Sequence, residues 1–359
     1  MKNVTAKVSL KNTMMAGIGL VLLLALMSLV FTVAIYRSQF PRVTRPDETV
    51  TASLRYTDLS EKYPRVLFYF VSGANRLHGY LYHQDAPLGL VVVAHGLGGG
   101  ADSYLPQIEY FLERGWQVLA FDATGSFDSE GKSTRGFPQA LLDLDAALQY
   151  VSQEPELATL PLFVFGHSWG GYAAANILHY SHPVRGVVAV SAANSAMDMI
   201  MEQGRRLVGS VARLQQPFVN AYQHLLFGKA ASMTAVDAIN SSQVPTLVIH
   251  GTADDMMTFS GSSIISRRNE ITSPLAQFLA VDEEGRNGHN NLFRSEEAIT
   301  YLEEVNREYR ILYEFHNKAI PYEINQQFYA GIDRRLLQGL NLDLMDAIND
   351  FFLECLNSQ

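Results

Sequence analysis

Ser168 is the residue whose type and surroundings are best suited to nucleophilic chemistry. It lies in the segment 162–174, which reads Leu-Phe-Val-Phe-Gly-His-Ser-Trp-Gly-Gly-Tyr-Ala-Ala. The apolar run predicts a buried strand, the alanine-rich end predicts a helix, and Ser168 lies at the sharp turn between them. Such a turn needs small residues two positions before and two after the serine, where Gly166 and Gly170 stand. It would expose the hydroxyl at the carboxyl end of a sheet, near a helix N-terminus.

A serine hydroxyl is a weak nucleophile at neutral pH and needs a base and a carboxylate as partners. The strand-like run Thr-Leu-Val-Ile that starts at residue 246 leads into a turn that contains Asp254 and Asp255. Asp254 is the preferred acid and Asp255 the alternative. His289 follows in a polar, glycine-containing loop, where an imidazole can reach over the sheet edge. Serine, acid and histidine therefore occur in that chain order.

Attack on a carbonyl group creates an oxyanion, which needs hydrogen-bond donors already in place. The backbone N–H of Trp169, directly after the serine, is one predicted donor. The second is the N–H of Leu97, in the His-Gly-Leu-Gly loop that follows the apolar run 90–94. Each donor of this kind contributes roughly 3 kcal/mol to transition-state stabilisation. The same glycine loop also fits a plain strand-to-helix turn.

Short apolar runs alternate with helical patterns from about residue 66 to the C-terminus. Near-continuous apolar strands that alternate with helices predict a mostly parallel sheet covered on both faces. Functional sites in such sheets lie beyond the carboxyl ends of the strands. The candidate site residues all follow predicted strands, so we expect them to meet at one edge of the sheet.

The combination of His-Gly-Leu-Gly, Gly-His-Ser-Trp-Gly-Gly, His-Gly-Thr-Ala-Asp and Gly-His-Asn in this order resembles the α/β-hydrolase superfamily over residues 65–359. The resemblance implies an α/β fold with an eight-stranded sheet, a Ser168–Asp254–His289 triad, and no metal or organic cofactor. It also implies a structural role for Asp122 in the loop after a central strand. A serine at this turn is not typical of the haloalkane, epoxide and cysteine-dependent lactone hydrolases of the fold.

The loop after Asp254 departs from the family pattern, because it reads Met-Met-Thr where valine-proline is frequent. This departure keeps Asp255 open as the acid.

The strand–helix alternation lapses at about residues 194–243, which predicts a helical cap inserted above the serine. Its apolar residues have helical spacing, and two interpretations remain open. They pack against the domain, or some of them, the flexible methionines above all, line an apolar substrate pocket. The predicted pocket residues are Met197, Met201 and Leu207.

The first 64 residues differ in character from the rest of the chain. Residues 14–36 are uncharged and apolar, long enough as a helix to cross a hydrocarbon core of roughly 30 Å. We predict a basic tail (residues 1–13), a transmembrane signal anchor (14–36) and a stem or linker (37–64) before the domain. A cleaved signal peptide is the alternative, although its apolar region usually covers about 7–15 residues. Basic residues flank the segment equally, and we expect a single-pass membrane protein with its catalytic domain on the extracytoplasmic side.

Composition limits the classes of partner. The net charge is −9, and residues 1–46 contain six basic residues and no acidic one, so the main domain is strongly acidic. Such a domain is a poor candidate for nucleic-acid binding. The single cysteine, Cys355, excludes an internal disulfide and a thiolate metal cluster. The sequence does not indicate an oligomeric state.

The sequence therefore predicts a serine hydrolase that cleaves a carboxylic ester, or another hydrophobic acyl substrate of small size, through a covalent acyl-enzyme. A serine peptidase, a thioesterase and an acyltransferase use the same residues and remain alternatives. A non-catalytic binding module on a membrane tether is the alternative from a different class.

Overall fold

The computed structural model describes the backbone of residues 2–358 and the side chains of residues 11–358. Within that part of the chain a single sheet of eight strands forms the centre of the molecule. The strands are β1 Arg65–Ser72, β2 Asn75–Tyr82, β3 Leu90–Ala94, β4 Gln117–Phe121, β5 Leu162–His167, β6 Val184–Val190, β7 Thr246–Gly251 and β8 Ala276–Val281.

The sheet is mostly parallel, as predicted. Its strand order is β1-β2-β4-β3-β5-β6-β7-β8; β2 pairs antiparallel with β1 and β4, and all later pairs are parallel. β3 is buried along its whole length because helices cover both faces. Val92 and Ala94 join the core on one face, whereas Val91 and Val93 join the core on the other. The carboxyl ends of β3, β5, β6 and β7 therefore meet at one edge.

Helices cover both faces of the sheet. α3 and α5 pack in the same core cluster as Val92, and α2 and α12 pack in the cluster that contains Val91. The helices are α1 Lys2–Gln39, α2 Leu105–Glu113, α3 Phe137–Gln153, α4 Pro155–Ala158, α5 Trp169–Asn176, α6 Ala196–Val208, α7 Ala212–Phe227, α8 Ala235–Ser241, α9 Glu296–Phe315, α10 Tyr322–Ala330, α11 Arg334–Leu337 and α12 Leu342–Asn357.

The N-terminal helix α1 contains the apolar segment predicted at residues 14–36. Residues 11–39 are long and apolar enough to cross a membrane, and the large apolar side chains up to Phe31 are exposed. Thr32, Tyr36 and Phe40 are instead buried, and this end of α1 packs against α7 of the cap. Met1 of the predicted basic tail, and the side chains of its first ten residues, lie outside the described residues.

The segment predicted as a stem or linker, residues 37–64, is packed onto the domain in the structure. Arg42 donates hydrogen bonds to the carbonyl oxygens of Phe127, Ser129 and Gly131. Arg45 binds the carboxylates of Asp102 and Asp128. The prolines and polar residues that suggested a stem thus belong to a segment held by arginine contacts.

The predicted cap falls between β6 and β7, as expected, but only part of it stands away from the sheet. α6 and α7 form a helical pair, and α7 contacts α1. α8 packs against α5 in the layer that covers the sheet. We therefore use the word cap for residues 196–232. The helices α9 to α11 were not predicted as a separate group, and they follow the loop that contains His289.

We expect Arg45→Gln to lower the free energy of unfolding by about 1–3 kcal/mol, because Asp102 and the buried Asp122 lose a cation. Urea unfolding of the detergent-solubilised chain measures this change. Lys62→Gln is the matched control, since Lys62 and Glu113 form an exposed ion pair worth less than about 1 kcal/mol. Equal losses for both variants would contradict a stabilising role of the Arg45 cluster.

Candidate active site

Ser168 lies at a strained turn between β5 and α5. Its backbone has φ 58° and ψ −115°, a region that a residue with a side chain rarely occupies. Two glycines make the turn possible. A Cβ on Gly166 would lie 2.2 Å from the carbonyl oxygen of Gly170, and a Cβ on Gly170 would lie 2.0 Å from that of Ala94. The strand, the turn and the helix are in van der Waals contact, which fixes the direction of the Ser168 side chain.

The structure brings His289 to Ser168. The Nε2 atom of His289 lies 2.9 Å from the Ser168 hydroxyl oxygen, and its Nδ1 atom lies 2.7 Å from Oδ2 of Asp254. All three side chains are buried. With Nδ1–H donating to the carboxylate, Nε2 is free to accept the serine proton.

Asp254, and not Asp255, contacts the histidine. Its Oδ1 atom accepts the backbone N–H groups of Met256 and Met257 at 2.9 Å each, and His250 Nε2 lies 3.2 Å from Oδ2. Burial alone raises the pKa of Asp254, but the hydrogen bonds of His250 and His289 outweigh burial and hold this pKa below its usual range. Asp254 is therefore ionised at neutral pH. Asp255 is exposed.

His167, whose position after a predicted strand favours hydrogen bonding in the turn over proton transfer, links three loops of the site. The hydroxyl of Tyr104 accepts the N–H of Gly96 at 3.0 Å and donates to Nδ1 of His167 at 2.7 Å. His167 Nε2–H in turn donates to the carbonyl oxygen of His289 at 2.9 Å. Burial, followed by the charge of His289, lowers the pKa of His167 to about 3, so the ring is neutral. The link joins the glycine loop, the serine turn and the histidine loop.

Two further buried groups hold the glycine loop after β3. His95 accepts the N–H of Ala123 at Nε2, and burial lowers its pKa to about 4. Asp122 accepts the N–H of Ala101 at 2.8 Å, and burial raises its pKa to about 6. Asp122 thus holds the start of the helical turn that follows the loop, in keeping with the structural role expected for it.

Leu97 and Trp169, whose N–H groups are the predicted oxyanion donors, lie in two different segments next to Ser168. Trp169 is the first residue of α5, where a helix leaves its N–H groups without an intrahelical acceptor. Leu97 lies in the loop after β3 and lines the same cavity as Ser168 and His289. Among the described residues neither N–H donates a hydrogen bond to another backbone group.

A cavity of about 510 Å³ opens at Ser168, but the predicted pocket residues do not line it. Met197 and Met201 line a separate cavity beside α6, and Leu207 is exposed at the far end of that helix. The helical period explains the difference, since positions 197 and 201 share one face and position 199 lies on another. The apolar lining of the Ser168 cavity includes Leu97, Phe137, Met199, Met256, Met257, Phe293 and Leu340.

The donor groups around the cavity do not form a metal site. Within residues 11–358 no group of three or more His, Cys, Asp or Glu side chains is arranged to hold a metal ion. The arrangement instead suits proton transfer from the Ser168 hydroxyl to His289.

Comparisons with known proteins agree with this fold. Residues 85–227 match the family described as serine aminopeptidase, S33, a range that includes Ser168 but neither Asp254 nor His289. An uncharacterized abhydrolase domain-containing protein of Dictyostelium discoideum is 25% identical over 60% of this chain and 26% of its own length. The uncharacterized protein YfhR of Escherichia coli is 24% identical over 50% of this chain and 57% of its own length. The match thus spans about a quarter of the length of the first relative and somewhat over half of the length of the second.

Solved structures show the same fold at low sequence identity. An esterase of Pyrococcus furiosus is 21% identical, with a TM-score of 0.52, and the match covers 77% of this chain and 98% of the esterase. DcsB, solved in complex with a substrate analogue, is 14% identical, with a TM-score of 0.51. The match covers 83% of this chain and 100% of the DcsB chain.

We expect Tyr104→Phe to lower the free energy of unfolding by about 1–3 kcal/mol. The Gly96 N–H and His167 Nδ1 both lose their hydrogen bond to the Tyr104 hydroxyl, and both are buried. Urea unfolding with tryptophan fluorescence measures the change. Tyr110→Phe removes a hydroxyl that binds the exposed Asp346, which keeps its contact with Arg114, and serves as the control. A loss no larger for Tyr104 than for Tyr110 would argue against the link.

Proposed function

Because the chain is an α/β-hydrolase by fold, we propose that it hydrolyses carboxylic esters, with Ser168 as nucleophile, His289 as base and Asp254 as the carboxylate that orients it. The observation that carries the proposal is the continuous hydrogen-bonded series from Ser168 Oγ through His289 to Asp254. Its geometry is within the 2.6–3.2 Å reach expected of a nucleophile and its base.

The proposed reaction has two steps. Ser168 Oγ attacks the ester carbonyl carbon while its proton passes to His289 Nε2, and the carbonyl oxygen becomes an oxyanion that accepts the N–H groups of Leu97 and Trp169. The imidazolium then gives its proton to the leaving alkoxide, and an acyl-enzyme with an alcohol product remains. Water attacks the acyl carbon in the second step, with His289 again as base, and releases the carboxylic acid and Ser168.

The ionised Asp254 stabilises the imidazolium that forms in each step. Its carboxylate already accepts two backbone N–H groups, so it does not need to turn to meet the histidine. Because the pKa of Asp254 lies below its usual range, the acid stays charged throughout the neutral range, and acidification to pH 5 does not remove this partner.

Peptide hydrolysis is the second candidate, because the matched family is described as serine aminopeptidase. The residues that line the cavity argue against an aminopeptidase. A free α-ammonium group is normally held by a carboxylate. Among the described residues that line the cavity there is no Asp or Glu, and Arg294 is its one formally charged side chain besides histidine. An uncharged acyl group fits this lining better than an ammonium group does. Thioester hydrolysis and acyl transfer use the same steps with another leaving group or acceptor.

We also propose that α1 anchors the chain in a membrane as a single-pass helix, with the hydrolase domain on the extracytoplasmic side. The length and composition of residues 11–39 support the anchor, and the exposed side chains of its first part have no protein surface to cover them within the described chain.

We expect Ser168→Ala to abolish hydrolysis of short nitrophenyl esters and labelling by a fluorophosphonate, because both reactions need the serine oxygen. Ser191→Ala is the control, since this buried serine follows the neighbouring strand β6 but has no histidine partner. Labelling that persists in the first variant would refute the assignment. An unsubstituted protein that neither hydrolyses nor labels would favour the non-catalytic binding module.

We expect Asp254→Asn to lower kcat by about 10⁴-fold, because an amide neither stabilises the imidazolium nor holds the correct tautomer. Asp255→Asn, one residue further and exposed, should leave kcat within a few-fold of the unsubstituted value. Ester hydrolysis by both variants measures the difference. A larger loss at position 255 would assign the acid to that residue instead.

A further inference from the structure

We propose that the tip of the cap, residues 207–214 at the junction of α6 and α7, sits in the bilayer beside α1 and admits long-chain acyl lipids to the Ser168 cavity from the membrane. The membrane part of this inference stands on the contacts of α1, whereas the substrate part rests on the proposed ester hydrolysis.

The relative direction of α1 and α7 places the cap tip on the membrane side. Thr32 of α1 is hydrogen-bonded to Gln215 of α7 at 3.0 Å, and Arg37 to the hydroxyl of Tyr222 at 3.0 Å. Residue numbers rise together along both helices, so the two helices are parallel. The N-terminal end of α7, and with it the cap tip, therefore lies on the side of the apolar part of α1.

The contact with the cap lies within the segment expected to cross the bilayer. Thr32 stands inside the uncharged run 14–36, and a hydrocarbon core needs about 20 residues of helix. One turn and two turns before Thr32, Ser28 and Ala25 are also partly shielded, although the apolar side chains around them are exposed. The cap thus reaches along α1 to a depth where lipid surrounds the helix.

The surface of the cap tip suits such an environment. Leu207 and Leu214 are 65% and 71% exposed, and Val208 and Val211 are exposed between them. Four exposed apolar side chains within eight residues form a patch that continues the apolar surface of α1. Such patches mark interaction surfaces when they are contiguous. The continuity with α1 identifies the bilayer as the partner.

The charge of the cap also favours contact with a membrane surface. Residues 203–236 contain no Asp or Glu, although the chain as a whole has a net charge of −9. Arg205 and Arg213 lie beside or within the apolar patch and are exposed, whereas the exposed Arg206 is paired with Glu202. An interfacial segment typically combines an apolar face with arginine or lysine side chains that reach lipid headgroups.

α6 connects the tip with the site. It ends at Val208 in the tip and begins at Ala196, and Met199 near its start lines the Ser168 cavity. At 1.5 Å per residue these ends are about 18 Å apart. An acyl chain that lies along α6 from the tip thus meets the Ser168 cavity at Met199, where part of the lining is apolar. Water-soluble esters do not depend on this route.

The first experiment measures depth in the membrane and does not depend on activity. The full chain with Leu214→Trp is reconstituted in vesicles that contain phospholipids brominated along the acyl chain. Leu225→Trp is the control, because Leu225 is 80% exposed on the same helix but lies near its opposite, C-terminal end. Native Trp116 and Trp169 are fully buried, and their signal is subtracted.

We expect the tryptophan introduced at position 214 to be quenched about twofold more strongly than the one at 225. Equal quenching at both positions would overturn the membrane-docked tip. If the fluorescence of the tryptophan at position 214 changes with protein dilution but not with bromolipid, the patch binds a second copy of the chain. That result would also overturn the membrane-docked tip.

The second experiment tests substrate entry. The double variant L207S/L214S should hydrolyse a long-chain diacyl ester in the vesicles about tenfold more slowly, and a soluble short-chain ester at the unsubstituted rate. L225S is the control for both substrates. An equal effect on both substrates, or none on either, would overturn entry from the membrane. If the unsubstituted chain hydrolyses neither ester, the proposed function fails, while the quenching result still decides the position of the tip.

Discussion

The backbone turn at Ser168 is the constraint on which the site depends. A positive φ at a residue with a side chain costs free energy, and it persists here because β5, α5 and the end of β3 leave no alternative path for the chain. The absence of Cβ atoms at Gly166 and Gly170 is what allows this contact. The strain is therefore balanced by packing across three elements in the middle of the sheet, where burial is most complete.

The remaining loops are held relative to that turn by polar contacts. Tyr104 and His167 connect the loop of Leu97 with the carbonyl of His289, and Asp254 is held by its own two backbone donors. Since each of these groups is buried and paired, a shift of one loop would leave another group without its partner. The loop of Leu97 and the loop of His289 are thus coupled through neutral side chains that themselves border the cavity at Ser168.

Sequence reasoning reached the sheet and its edge because those features depend on local pattern. β3 is a continuous apolar run, and its bounds agree with the predicted run 90–94. The methionines of α6 show where such reasoning stops. Their spacing identifies an amphipathic helix, but which face meets the cavity depends on how α6 lies on the domain. The choice between Asp254 and Asp255 likewise needed the turn geometry. Arg42 and Arg45 were missed because their partners lie more than fifty residues away.

The arginine contacts that follow α1 have a mechanical consequence. A tether of flexible residues would let a domain swing and meet substrates on other particles or opposite surfaces. Here Phe40 is buried, Arg42 is bound to three carbonyl groups, and Val43 pairs with the loop at Ser126, so the anchor and the sheet move as one body. With α1 in a bilayer, the height and tilt of the serine above that bilayer are constant. For a chain anchored as proposed, encounters with membrane-bound substrates occur by lateral diffusion in two dimensions.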